Sequence, residues 1–429
     1  MPRFIVRPGG PLQGTVRAGG AKNSALKLMA ACLLAPGRHV LAGVPRIVDV
    51  EIMAEVLTAI GAQVVRRPAA ADGGPGDLVI ETPQDLVPEA PYELVEKMRA
   101  SVVVLGPLLA RTGRASVSLP GGDDFGNRPI DIHLHGLSTL GAVFQTVHGN
   151  IEGRVPGGPE GRLVGQRVVF EYPSHTATDN VLMAAVLAKG TTVIENAARE
   201  PEVADLADFL THMGARIRGA GTSHIEVDGV EELRPGDAAH HVIPDRVVAA
   251  TLLSALGLAG GDIVIEDGRP DHMDMVLRKM GDMGVVVTQT PEGMHATTDG
   301  RLHSVDVATL PYPGVATDYK PFLVTMLSVA DGVGIVTENL FSGRFRYVDE
   351  LRRMGADVRT EGHHAVVRGV RRLSGAPVRA PDLRAGAALV LAGMVAEGET
   401  VVSDAQHIDR GYEDLASTLS SLGADVTRA

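Results

Sequence analysis

A chain of 429 residues with 45% apolar side chains and a mean hydropathy of +0.11 has the material for two or three packed domains, which excludes a disordered chain. Its formal charge of −12, the lack of a dense Lys/Arg run, and a complement of eight Phe, six Tyr and no Trp exclude a nucleic-acid platform built on cationic patches and base stacking. The single cysteine, Cys32, rules out an internal disulfide and a C-x-x-C zinc site.

In chain order, the opening Met-Pro-Arg-Phe-Ile-Val-Arg carries too short an apolar run for a signal peptide, and no apolar stretch reaches bilayer-spanning length. The expected setting is the cytoplasm, with no membrane partner. Ala18 to Ala21 reads as a flexible joint, and Cys32, inside the apolar run Leu26 to Leu34, as a packed and inert thiol.

A motif then recurs in which an apolar residue precedes Gly-(Ala/Val). Its glycines are Gly61, Gly141, Gly214, Gly284, Gly355 and Gly423, spaced 68 to 80 residues apart. Each follows, by 23 to 28 residues, a glycine that opens a β-branched strand: Gly37, Gly113, Gly190, Gly261, Gly332 and Gly398. The pattern predicts six internal repeats of about 70 residues.

Within one repeat, the spacing predicts a strand over Thr192 to Glu195, a loop to Pro201, a helix over Glu202 to Met213, and a strand over Ala215 to Arg218. Before each opening glycine lies a segment apolar nearly all round: Ser24 to Leu34, Ala100 to Ala110, Val181 to Leu187, Val247 to Leu258, Pro321 to Ala330 and Ala385 to Val395. All-round apolarity predicts helices buried on every side. The expected fold class is α/β: a two-domain inverse α/β barrel of six βαβαββ repeats, three per domain, with inner helices surrounded by outer helices and sheet. Residues 21–241 form the contiguous domain and 1–20 plus 242–429 the discontinuous one. His240 to Asp245 is the second crossing point, and Gly153 to Gly165 reads as a surface hairpin excursion.

Leu119-Pro-Gly-Gly-Asp-Asp-Phe-Gly-Asn-Arg-Pro129 reads as a mobile lid, because Gly121, Gly122 and Gly126 would let it close while carrying Asp123, Asp124 and Arg128. The buried helices begin with cations that capping does not explain. Lys22, Arg99 and Arg384 stand where the helix dipole disfavours positive charge by roughly 0.3–1 kcal/mol. That cost is offset if an anion sits there, and repeat symmetry would turn these helix starts toward a single phosphate-binding cleft between the domains. Arg344 and Arg410 occupy, in the fifth and sixth repeats, the loop that holds Arg128 in the second, and a guanidinium fork suits carboxylate and phosphate. His133-x-His135, His240-His241 and His363-His364 lack a supporting carboxylate or cysteine at a recognised spacing, so no metal and no cofactor are expected.

Taken together, Gly20-Ala-Lys-Asn23, Lys97-Met-Arg-Ala-Ser101, the 119–129 loop, Glu195 to Glu202, Pro244-Asp-Arg246, Thr317-Asp318, Asp382-Leu-Arg384 and His407-Ile-Asp-Arg-Gly411 resemble the enolpyruvyl transferase family, in its nucleotide-sugar branch, over nearly the whole chain. The resemblance implies transfer of enolpyruvyl from phosphoenolpyruvate to the 3-hydroxyl of UDP-N-acetylglucosamine, a uridine nucleotide sugar, with phosphate released by addition and then elimination. This is the first committed step of peptidoglycan synthesis. It implies that Lys22, Arg128, Arg344, Arg384 and Arg410 hold phosphoenolpyruvate and that Asp318 takes the proton of the attacking hydroxyl. Asn23, Arg99, Arg128, Pro129, Ile130, Asp131, Ile132, Tyr172, Pro173, Ser174, His175, Asp318 and Leu340 would form the nucleotide-sugar site. Small-molecule substrates and a monomer or weak homo-oligomer are the expected partners.

Two departures stand out. Where many members carry a lid cysteine, this chain has Asp123. An ordinary aspartate, near pKa 3.9, is only on the order of 0.1% protonated at pH 7, so Asp123 needs a raised pKa to serve as the general acid, helped by its neighbour Asp124 and by dehydration on closure. The expected corollary is insensitivity to fosfomycin. The second departure is Tyr172-Pro-Ser-His-Thr-Ala-Thr-Asp179, where relatives have Ser-Val-Gly; His175-Thr176 adds two hydrogen-bonding side chains and leaves UMP or another nucleotide open as the acceptor, as it leaves open a non-catalytic nucleotide-sugar sensor.

Overall fold

Twelve glycines punctuate the chain, and all twelve adopt positive φ. At the helix ends Gly61, Gly141, Gly214, Gly284, Gly355 and Gly423 have φ between 86° and 112°, a left-handed stop that a side chain would strain. The partner glycines Gly37, Gly113, Gly190, Gly261, Gly332 and Gly398, at 70° to 124°, turn the chain into the next strand. The computed structural model describes residues 2–68, 76–118, 130–157, 161–298, 301–341 and 343–429.

Among the described residues each repeat has its own four-stranded sheet, six in all. In the third, Arg167–Val169 runs parallel to Thr191–Glu195, which pairs antiparallel with His224–Asp228, which in turn pairs with Arg216–Arg218. The buried helix His175–Ala185 joins the first two strands and the outer helix Pro201–His212 follows, giving the βαβαββ order. Three repeats borrow a strand from elsewhere in the chain. His240–His241 lies parallel to Leu41 and Ala42 in the first, Leu12–Arg17 parallel to Gly261–Glu266 in the fourth, and Arg3–Arg7 between Thr400–Ser403 and Asp425–Arg428 in the sixth.

The chain divides into two compact units, one containing Met1–Gly19 and Pro244–Ala429, the other the described chain from Gly20 to Ile243. Each has its own apolar core. In the first unit the helices Arg246–Ala259, Lys320–Leu327 and Leu383–Gly393 pack against one another. Leu252, Leu253, Leu323, Leu389 and Leu391 are at most 1% exposed, and each fully buried leucine contributes about 1.5–3 kcal/mol. In the second unit the helix Lys22–Ala31, the helix Leu105–Thr112 and the helix His175–Ala185 fill the same role.

Local details depart from the sequence expectation. The inner element of the second repeat starts as a 3₁₀ segment, Arg99–Val104, and turns α-helical only at Leu105. Pro107 explains this: it has no N–H for the carbonyl of Val103, and its ring would collide with that carbonyl in a continuous α-helix. The third inner helix starts at His175, ahead of the expected Val181, because the Ser174 hydroxyl caps it by accepting from Ala177 N–H. Gly20 is set by close packing rather than by hinge freedom, since a Cβ there would lie 2.0 Å from the Gly43 carbonyl oxygen. Part of the expected Gly153–Gly165 excursion is tied down: the Arg162 guanidinium donates to the carbonyls of Leu187 and Val230, both at its shortest within 2.8 Å.

Candidate active site

In the unit containing Pro244–Ala429, polar groups gather where two inner helices begin. Asp318 lies in the turn leading into the helix Lys320–Leu327. Arg344 Nη1 donates to its Oδ1 at 2.7 Å and to Thr317 Oγ1 at 3.1 Å, while Arg384 Nε donates to its Oδ2 at 3.3 Å. Each carboxylate oxygen is thereby engaged by one guanidinium, which fixes the plane of the group. Both arginines are buried, Arg384 at 1% exposure, and Asp318 retains 27% side-chain exposure, so the carboxylate is the open end of the triad.

The surrounding residues hold the arginines charged. Burial by itself pulls the Arg344 guanidinium down, but Asp318, Asp382 and Glu338 outweigh it and the net direction is upward. Arg384 shifts the same way: burial opposes the charge, and Tyr412, Asp318 and Asp245 overcome it. Its guanidinium carbon sits 5.2 Å from the centre of the Tyr412 ring. Asp382 caps the helix Leu383–Gly393 by accepting from the Arg384 and Ala385 N–H groups, each at 2.9 Å.

Beneath lies an ion pair the sequence did not reveal. Lys320 Nζ lies 2.8 Å from Glu338 Oε2, with neither side chain exposed to solvent. Burial pushes the Lys320 ammonium down to about 8, against the pull of Glu338. Glu338 also accepts from Thr309 and Thr317 hydroxyls at 2.7 Å each and from Leu340 N–H at 2.8 Å, which pins the backbone of Leu340. Arg410 closes the 3₁₀ segment Ala405–Arg410, which packs on the helix Leu383–Gly393. A Cβ on the next residue, Gly411, would lie 3.5 Å from Arg384 Nη1, so Arg410 and Arg384 occupy one neighbourhood. Asp318, Leu340, Arg344, Arg384 and Arg410 are thus brought together.

The other unit carries a second group. Lys22, the first residue of its helix, donates to Asp49 Oδ2 at 2.7 Å, so an internal carboxylate answers the cation at the helix start. Asn23 follows it, half-buried. One turn on, Lys27 pairs with Asp179 Oδ2 at 2.8 Å and contacts His175 Nε2, linking this helix to the one that starts at His175. Burial raises the Asp179 carboxyl to about 6 despite Lys27. His175 lies 3.8 Å from Asp179 Oδ2, one turn away on its own helix. Arg99 bears electrostatically on His133, which follows Ile130, Asp131 and Ile132 and is bonded to Thr176 and Asn180. Ile130 is buried, Asp131 exposed and Ile132 half-buried. Tyr172 is 40% exposed beside half-buried Pro173 and Ser174.

Asp123, Asp124, Arg128 and Pro129, with the whole 119–129 loop, lie outside the described residues. Among the described residues no group of three His, Cys, Asp or Glu is arranged to hold a metal ion, and no helix is long and apolar enough to cross a membrane. Cys32 is fully buried with Sγ 3.2 Å from the Leu28 carbonyl, and burial pushes its thiol well up.

Residues 6–419 match the family model of EPSP synthase (3-phosphoshikimate 1-carboxyvinyltransferase). The chain is similar to a UDP-N-acetylglucosamine 1-carboxyvinyltransferase of Nocardia farcinica, 48% identical over 429 residues that span 99% of this chain and 98% of that protein. It is equally similar to one of Mycobacterium tuberculosis, 48% identical over 427 residues and 99% of each chain. Among solved structures, the enolpyruvyl transferase NikO from Streptomyces tendae matches with a TM-score of 0.86 and 25% identity, covering 100% of this chain and 99% of that one. An EPSP synthase from Acinetobacter baumannii gives 0.75 at 18% identity over 100% of both chains, a likeness of fold.

Proposed function

The chain belongs to the EPSP synthase (3-phosphoshikimate 1-carboxyvinyltransferase) family, and from that membership we propose that it transfers enolpyruvyl from phosphoenolpyruvate to the 3-hydroxyl of UDP-N-acetylglucosamine. The observation that carries this reading is the 48% identity, over essentially the full length of both chains, to proteins named for that reaction. The reaction opens peptidoglycan synthesis and takes place in the cytoplasm.

Asp318 accepts the proton of the sugar hydroxyl as its oxygen attacks the central carbon of phosphoenolpyruvate, while Asp123 delivers a proton to the terminal carbon. The resulting tetrahedral adduct loses phosphate and a proton from that same carbon, which restores the double bond. Lys22, Arg128, Arg344, Arg384 and Arg410 neutralise the carboxylate and phosphate through both steps. Asn23, Arg99, the 128–132 segment, Tyr172 to His175, and Leu340 hold the nucleotide sugar. The engagement of both Asp318 oxygens by buried guanidiniums supports its role, since a base of fixed orientation accepts a proton from one direction only.

A second reading, with UMP or another nucleotide as acceptor, is favoured by the hydrogen-bonding side chains of His175 and Thr176 at the start of their helix. Phosphate release from phosphoenolpyruvate, measured with UDP-N-acetylglucosamine, UMP and shikimate 3-phosphate, separates the readings. The proposal expects release with the first alone; release with UMP alone moves the assignment to the second reading, and release with none of the three overturns both.

A further inference from the structure

The repeats present one sheet position six times, and its charge can be compared across them. The residue after each opening glycine (Arg38, Arg114, Thr191, Asp262, Val333 and Glu399) is exposed on the outer face of its sheet. It stands in a row with its partners on the neighbouring strands. The rows are Arg38–Glu81–Gln63 in the first repeat, Thr191–Asp228–Arg216 in the third, Asp262–Thr297–Val286 in the fourth and Val333–Arg368–Asp357 in the fifth. In the sixth, Arg7 stands opposite Asp425 and bonds Glu399 at 2.7 Å. Each of these rows holds an acid, and each arginine in them faces one.

The second repeat departs from this pattern. Its row is Arg114–Arg154–Val143, two guanidiniums directly opposite each other with no acid beside them. Among the described residues neither guanidinium is paired with a carboxylate. Like charges facing each other across strands destabilise a sheet, so the row carries a cost that the other five avoid.

That row also lines a groove. A cavity of about 320 Å³ lies between it and Val87, Pro88 and Phe144, and a second of about 490 Å³ continues along it to Pro156; Arg114, Arg154 and Val143 line both. Small-ligand sites span roughly 300–1,000 Å³ and join apolar walls to a few convergent polar groups. Here the apolar part is uncovered, with Val87 51% and Val143 47% exposed. The adjoining row, Glu89–Ser116–Glu152–Gln145, holds two acids, and Glu152 already accepts from Gln145 Nε2 at 2.9 Å. Those acids repel an anion and confine it to the arginine row.

We infer that the outer face of the second repeat binds a small organic anion, its carboxylate or phosphate held between Arg114 and Arg154 and its apolar body resting on Val87, Pro88 and Val143. Two guanidinium forks from adjacent strands suit one such group, and its charge removes the repulsion between them. The site goes beyond the transferase reading and does not rest on it, since neither arginine belongs to the groups assigned to the substrates.

The test is amide-resolved NMR of the full-length protein titrated with phenyl phosphate, phenylacetate and the neutral benzyl alcohol. Both anions are expected to shift the amides of Arg114, Val143 and Arg154, and benzyl alcohol to leave them in place; the tighter anion tells phosphate from carboxylate as the natural group. Arg154→Glu should weaken anion binding there roughly 10- to 100-fold, the loss of a hydrogen bond to a charged group. The same variant should melt at a higher temperature than the original, because Arg114 then faces an acid as in the other repeats. Should it fail to fold, Arg114→Gln is expected to show the same loss of binding. Phosphate release from phosphoenolpyruvate should stay within twofold in either variant, and a tenfold fall would overturn the claim of a separate site. Anions that leave the three amides unshifted, benzyl alcohol that shifts them equally, or an Arg154→Glu protein that binds within twofold of the original would each overturn the inference. An acidic peptide that binds where neither small anion does would overturn it in favour of a protein partner. An original protein that binds the anions but turns over no nucleotide overturns the transferase reading and leaves this site standing.

Discussion

Replacing Asp318 by Asn removes a proton acceptor while keeping the size of the side chain, and the structure sets two separate magnitudes for the change. The catalytic one is the loss of a positioned base, on the order of 10²- to 10⁴-fold in kcat. The structural one follows from the two guanidiniums. The amide oxygen of Asn can still accept from one of them, Arg344 or Arg384, but its NH2 group cannot accept from the other, so one charge-assisted hydrogen bond is lost. That costs about 1–3 kcal/mol, less than baring a buried charge, because Asp382 and Asp245 remain close enough to favour the charged arginines. Phosphate release under saturating substrates reads the first quantity, and guanidinium unfolding monitored in the unit containing Asp318 reads the second. The expected variant is folded, slightly less stable and nearly inactive, with the KM for phosphoenolpyruvate changed far less than kcat. A variant retaining a tenth or more of the original kcat would refute the assignment of Asp318 as the base.

Three more outcomes follow from the same physics. Lys320→Met leaves Glu338 without its cation in a site closed to solvent and is expected to cost about 3 kcal/mol, at the low end for a broken buried pair because Thr309, Thr317 and the Leu340 N–H still serve the carboxylate; adding Glu338→Gln should recover most of it, and a double variant as unstable as the single one would contradict this. His133, with its pKa lowered from 6.5 to about 3, contributes stability that is complete above pH 6.5 and is lost as pH falls toward 3. Between pH 7 and pH 5 the original protein should therefore lose about 2 kcal/mol more than His133→Gln, and parallel denaturant curves for the two would sink the idea. Fosfomycin should give no time-dependent inactivation, because Cys32 is a buried, poorly ionised thiol and Asp123 replaces the lid cysteine; stoichiometric, progressive loss of activity would show otherwise.

The six-repeat fold was legible because its punctuation is steric. A helix that stops in left-handed geometry and a strand entered by a positive φ both need glycine, so the backbone requirement appears directly as a spacing in the sequence. The cations at helix starts were legible for a related reason, since Lys22 and Arg384 oppose the helix dipole and so demand an explanation. Their partners were not legible. Asp49 and Glu338 are ordinary acids in the sequence, and only folding sets them 2.7 Å from Lys22 and 2.8 Å from Lys320. The internal carboxylates Asp49 and Asp318 also bond Lys22 and Arg384, the cations for which the sequence points to a bound anion. The same limit applies to the hydrogen bonds that link Val102, Gly106, His133, Thr176 and Asn180, whose partners stand 43 to 78 positions apart in the chain. The 3₁₀ start at Arg99–Val104 was available from Pro107, whose effect reaches back four residues to Val103.

The most direct test of enolpyruvyl transfer follows the bridging oxygen of phosphoenolpyruvate, labelled with ¹⁸O, in a reaction with UDP-N-acetylglucosamine. Addition followed by elimination breaks the carbon–oxygen bond, so the label should leave entirely with inorganic phosphate while the sugar nucleotide gains an unlabelled enol ether at its 3-oxygen. Label retained in pyruvate, with phosphate formed by cleavage of the phosphorus–oxygen bond and the sugar unchanged, would contradict it.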